Sequence, residues 1–83
     1  MTETDIRQTL RQGFDTCVSK AASLPPAPSA TRFQAVSAAL RLYADIMRRD
    51  EAYLLYCQRH SIPYLRIIDE EYEKALSKVK SNL

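Results

Sequence analysis

The sequence predicts an all-α fold, a three-helix antiparallel hairpin or bundle with a long central helix, on three observations. Apolar residues recur at steps of three and four through most of the chain, Gly13 is the only glycine, and three of the four prolines crowd into one segment. The length of 83 residues provides core for one domain, so residues 1–83 are expected to form a single helical unit. Hydrophobic residues make up 46% of the chain and charged residues 27%, the balance of a sequence that folds rather than one that stays disordered.

The first predicted helix, about residues 4–23, follows from Ile6, Leu10, Phe14, Cys17, Val18 and Ala21, with Arg7, Gln8, Arg11, Gln12, Asp15 and Ser19 on the other side. Thr2 or Thr4 supplies a cap, and Glu3 and Asp5 favour the positive end of the helix dipole. Gly13 inside a helix costs roughly 1 kcal/mol relative to alanine, so another element is expected to pack closely against it. The stretch from Leu24 through Pro25, Pro26 and Pro28 to Ser29 lacks three backbone donors, which makes residues 24–29 a proline-rich loop.

Ser29 or Thr31 is placed to cap the second helix, predicted over 30–60. Phe33, Val36, Leu40, Tyr43, Met47, Leu54 and Cys57 trace a coiled-coil-like seam along it, with Asp50 at the one polar position. Ala35, Ala39, Leu42, Ile46, Tyr53, Tyr56 and His60 trace a second seam beside the first. A helix with two apolar seams is expected to touch two neighbours at once. The third helix, 62–80, is expected to open with Ser61 as cap and Pro63 in its first turn, and to bury Leu65, Ile68, Tyr72, Ala75, Leu76 and Val79. The acidic run Asp69, Glu70, Glu71 and Glu73 reads as its solvated side, with Glu70 four residues before Lys74 in the favourable orientation.

Length then suggests function. A continuous 30–60 helix is about 46 Å long, whereas its neighbours are about 28 Å, so each end of the molecule would be a two-helix hairpin with one seam uncovered. The alternative is a compact four-helix bundle, reached if the second helix breaks at Arg48-Arg49-Asp50-Glu51, where four consecutive charges cannot all be buried. Arg and Glu are good helix formers and no glycine or proline intervenes, which favours continuity.

The functional expectation is a non-enzymatic protein interaction module, self-associating as a homodimer or docking as a small adaptor on another protein. Leu40, Tyr43, Met47, Tyr53, Leu54 and Tyr56 are the expected anchors, with Asp50 setting register against a partner's arginine. The rival is a small nucleic-acid-binding regulator using Arg41, Arg48, Arg49, Arg59 and Arg66, a line that Asp45 and Glu51 interrupt. A net charge of +2 with mixed signs suits solubility more than phosphate binding. Cys57 and His60 fall on one helix face as a thiolate-imidazole pair would, and with Cys17 they make three zinc ligands lacking a fourth. A helix-end histidine is equally explained by the dipole, so no catalytic residue, metal or cofactor is expected. One glycine leaves no glycine-rich phosphate loop. Two cysteines read as free thiols, and the acidic start without an apolar run gives a cytoplasmic location with no membrane span as the expectation.

Leu42-Tyr43-Ala44, within LRLYADIMRR, resembles the Leu-Tyr-Arg helix of the LYR-motif mitochondrial accessory proteins. Ala44 stands where that motif has its arginine, and the match lies on the second helix rather than the first. Covering about ten residues, it transfers no fold, partner or site residue to this chain.

Overall fold

The start of the chain is tied down by a reciprocal cap: the Asp5 backbone N–H donates to Thr2 Oγ1 at 3.2 Å, and the Thr2 N–H donates to Asp5 Oδ2 at 2.8 Å. The backbone bond from Thr2, followed by its hydroxyl, holds the Asp5 carboxyl below its usual value. From this cap the periodicity runs on as α1, Glu3–Ala22. The computed structural model describes residues 1–22 and 28–82, so the predicted 24–29 loop lies outside the described residues except at its last two positions.

Pro28, with φ −55° and ψ 148°, sits just before α2 (Ser29–Arg48), and its carbonyl accepts from the Arg32 N–H at 3.0 Å. Pro28 itself holds the N-cap position, where Ser29 or Thr31 was the expected cap, and makes no side-chain cap bond. An extended proline already fixes the entry angle of the chain.

The long central helix does not form. α2 stops at Arg48, and α3 begins at Glu51 and ends at Arg59. The break is made by Asp50, whose extended backbone (ψ 104°) turns its carboxylate back to accept the Tyr53 N–H at 3.1 Å. Asp is among the strongest N-cap residues, and here it outweighs the helix propensity of its neighbours. The break also leaves the exposed Arg49 and Glu51 side chains in water, as the four-charge run requires. Among the described residues four helices thus replace the predicted three, and the all-α class holds.

α3 ends in a Schellman motif. Ser61 takes φ +55°, Ile62 N–H donates to the Cys57 carbonyl at 2.8 Å and Ser61 N–H to that of Gln58 at 3.4 Å. Pro63 then precedes α4, Tyr64–Asn82, and accepts from Ile67 N–H at 3.0 Å. Ser61 therefore closes α3 rather than capping α4, because a left-handed residue cannot begin a helix.

α1, α2 and α4 are of nearly equal length, about 30 Å each, and pack mutually as an up-down-up bundle. α3 packs chiefly on α4 at one end, giving overall extents of 45 × 21 × 15 Å. The core takes Ile6, Leu10 and Phe14 from α1, Val36, Leu40, Ala44 and Met47 from α2, Cys57 from α3, and Tyr64, Ile67, Ile68 and Val79 from α4. Gly13 is where the Tyr43 ring crosses α1: a β-carbon there would overlap the phenol. That ring also stands edge-on to Phe14, with centroids 5.0 Å apart.

Two expectations for α4 are corrected. Leu65 is 52% exposed, while Tyr64 and Ile67 are buried, so the inward stripe is rotated from the predicted one. Glu71 is not on the solvated side of the acidic run but lies in the core stripe with no exposed side chain. Its carboxylate accepts from Arg7 Nη1 at 3.1 Å, Arg11 Nε and Lys74 Nζ at 3.2 Å, while Arg7 Nη2 binds Glu70 at 2.7 Å. Burial alone would push the Glu71 carboxyl up, but the bonds from Arg11 and Lys74 outweigh it and hold it below the ordinary glutamate value. This cluster fastens α1 to α4.

Candidate interaction surface

The fold divides the two apolar seams of α2. Val36, Leu40 and Met47 of the first seam are buried, and Phe33 and Tyr43 pack against them. The second seam, Ala35, Ala39, Leu42 and Ile46, is left toward solvent beside α1. Leu42 is 62% exposed and Ile46 57%, although each carries a large aliphatic side chain. The alanines, Leu42, Tyr43 and Ile46, with Cys17, Lys20 and Ala21 of α1, line a shallow groove of about 370 Å³. Helix periodicity explains the division: one core can cover one stripe of a helix, and the stripe beside it then stays outside.

The expected anchors therefore fall mostly inside one copy. Leu40 is fully buried, Met47 nearly so, and Tyr43, Tyr53, Leu54 and Tyr56 are half-buried against the core. Tyr53 stacks on Tyr64 with centroids 5.6 Å apart, and Tyr64 donates to the Met47 carbonyl at 2.7 Å. Burial drives the Tyr64 phenol well above its usual pKa. Tyr56 donates to the Met1 carbonyl at 2.7 Å. Asp50 is engaged as the cap of α3, which accounts for its place in the seam without a partner's arginine. The uncovered large aliphatics are instead Leu42, Ile46, Leu55 and Leu65. The periodicity contained the first two, as members of the second seam, but the choice of seam depends on where α1 lies.

Of the arginines named for the phosphate-binding alternative, Arg48 is engaged in ion pairs within the chain. Arg48 donates to Asp45 and Asp69, each at 2.7 Å, and joins the end of α2 to α4. Its charge is thereby compensated by two carboxylates. Arg41, Arg59 and Arg66 are exposed on three different helices, and Arg49 is exposed in the turn that follows α2.

Cys57 is buried, and burial pushes its thiol pKa up, away from the thiolate that a nucleophile requires. His60 is exposed and packs on the Tyr56 ring, with centroids 4.3 Å apart. Both cysteines are free thiols, and among the described residues no three His, Cys, Asp or Glu side chains converge as metal ligands would. No helix of the described residues is long and apolar enough to cross a membrane. The chain matches no family model, no curated protein and no solved structure.

Proposed function

We propose that this chain is a non-enzymatic helical interaction module that binds protein through the second seam of α2. The observation that carries the reading is the exposure of Leu42 and Ile46 beside an apolar groove, in a bundle whose core is otherwise closed. The reading needs no spine that outreaches its neighbours, since α1, α2 and α4 match in length. It draws on a helix with two apolar stripes and intramolecular cover for one. Adjacent large aliphatics in water, rimmed by a groove, are characteristic of contact sites.

The test compares a tagged full-length chain with a Leu42→Glu/Ile46→Glu variant, by affinity purification at low salt and at about 0.5 M salt, where charge contacts are screened. Both residues are exposed, so the variant should melt with the wild type. The expected result is a protein partner, or pairing with another copy of the chain that grows with concentration, kept at both salt levels by the wild type and absent from the variant. Equal partners on both proteins would overturn the reading. So would a bound nucleic acid released by salt, which is the behaviour of phosphate contacts.

A further inference from the structure

We propose that the occupant of the α2 surface is a second copy of this chain, packed antiparallel on the first about a two-fold axis midway between Leu40 and Arg41. This rests on the interaction reading above and names its partner. The solvent-side stripe of α2 is small in its first half, the half-buried Ala35 and Ala39, and large in its second, the exposed Leu42 and Ile46. A two-fold contact requires that each position meet its mirror position on the other copy. Ala39 and Leu42 are equally far from the stated midpoint, and so are Ala35 and Ile46. One axis therefore sets Leu42 of each copy against Ala39 of the other, and Ile46 against Ala35. The groove beside the alanines, walled by Cys17, Lys20 and Ala21 of α1, gives the two aliphatic side chains a place to enter. A partner of unrelated sequence would need only the large half of the stripe.

None of the four stripe residues is ionisable, and the neighbouring Asp45 is paired with Arg48. Area sets the strength. α2 is about 30 Å long and the bundle 15–21 Å across, so the α2 face offers a footprint on the order of 500 Å². Stable interfaces of ordinary size use about 800 Å² from each partner. The dimer is accordingly one that exchanges with a folded monomer, and it fills between micromolar and millimolar concentration.

Sedimentation of the full chain from about 5 µM to about 1 mM tests this, because a dimer in exchange changes its mean mass with concentration. The wild-type mass should climb from 9.5 kDa toward twice that value, with little dependence on salt. Leu42→Ala and Ala39→Leu should each weaken association roughly tenfold, and the two combined should recover most of it, because the exchanged pair still fits across the axis. Leu42→Glu/Ile46→Glu, altered only at exposed positions, should stay at 9.5 kDa throughout with an unchanged melt. A wild type that remains monomeric at about 1 mM overturns the proposal, and so does a dimer indifferent to the glutamate variant. A monomeric wild type that still captures a different stoichiometric protein through Leu42 and Ile46 removes the second copy and leaves the interaction reading standing.

Discussion

Glu71→Gln removes one charge and almost no volume from the place where α1 is fastened to α4. The wild-type carboxylate has no exposed side-chain surface and accepts from Arg7, Arg11 and Lys74. Hydrogen bonds to charged groups are worth about 1.5–3 kcal/mol each, and breaking a fully buried pair costs about 3–5 kcal/mol. Those figures must be discounted here. Arg11 is 56% exposed, Lys74 63%, and Arg7 keeps Glu70, so the released cations return to water rather than remaining buried and unpaired. The amide also offers its own donors to a site built to supply them. The expected net loss at pH 7 is about 2–3 kcal/mol, which in a domain this short lowers the melting temperature by roughly 10–20 °C. Thermal and urea melts followed by circular dichroism measure it.

The pH dependence has a definite sign. Folding holds the Glu71 carboxyl below its ordinary value of 4.5, so its contribution is complete above that value and drains away as the pH falls through the lower, folded pKa. The gap between wild type and variant should therefore narrow in acid, with the wild type losing stability and the variant losing less. Glu73→Gln, in the same acidic run but exposed, should shift stability by less than about 0.5 kcal/mol. A Glu71→Gln protein within about 0.5 kcal/mol of wild type at pH 7, or one no worse than Glu73→Gln, would refute the reasoning.

Three further outcomes follow from local geometry. Gly13→Ala gains roughly 1 kcal/mol of helix propensity but drives a methyl into the Tyr43 ring, so a net loss of about 1–2 kcal/mol is expected in a urea melt, shrinking in a Tyr43→Ala background. Asp50→Ala should cost about 1 kcal/mol and speed hydrogen exchange at the Tyr53 amide, whereas Asp50→Asn, which still caps, should cost little. Ser61→Gly relieves a left-handed conformation at φ +55° and should raise stability by about 0.5–1 kcal/mol; a loss would show that the Schellman turn is not strained.

Local spacing carried α1 well, because Ile6, Leu10 and Phe14 keep one face and Thr2 and Asp5 cap it within three residues of each other. Gly13 announced a close neighbour for the same reason, as a helix accepts that cost where a ring must approach. Propensity over Arg48 to Glu51 favours a continuous helix, but a single capping carboxylate, Asp50, decides the break. The signal was present in Asp50, Glu51 and Tyr53, read as cap, first-turn acid and cap acceptor's donor rather than as members of a seam. Glu71 escaped because apolar periodicity skips charged residues, although Arg7 and Arg11 stand one turn apart on α1 to receive it. Which seam of α2 stays outside is a tertiary matter. It depends on the side from which α1 approaches, and spacing within one helix does not encode that.

The short α3 gives the molecule a detachable corner. Nine residues are too few to hold a helix by themselves, and this one leans on α4, the Tyr53–Tyr64 stack and its two caps, while the three long helices close on each other without it. The chain from Asp50 to Ile62 should open before the trunk of the bundle, by first freeing Cys57 from the core and Tyr56 from Met1. Its amides should exchange with solvent ahead of those of Leu10, Leu40 and Ile68, which hydrogen exchange would read residue by residue.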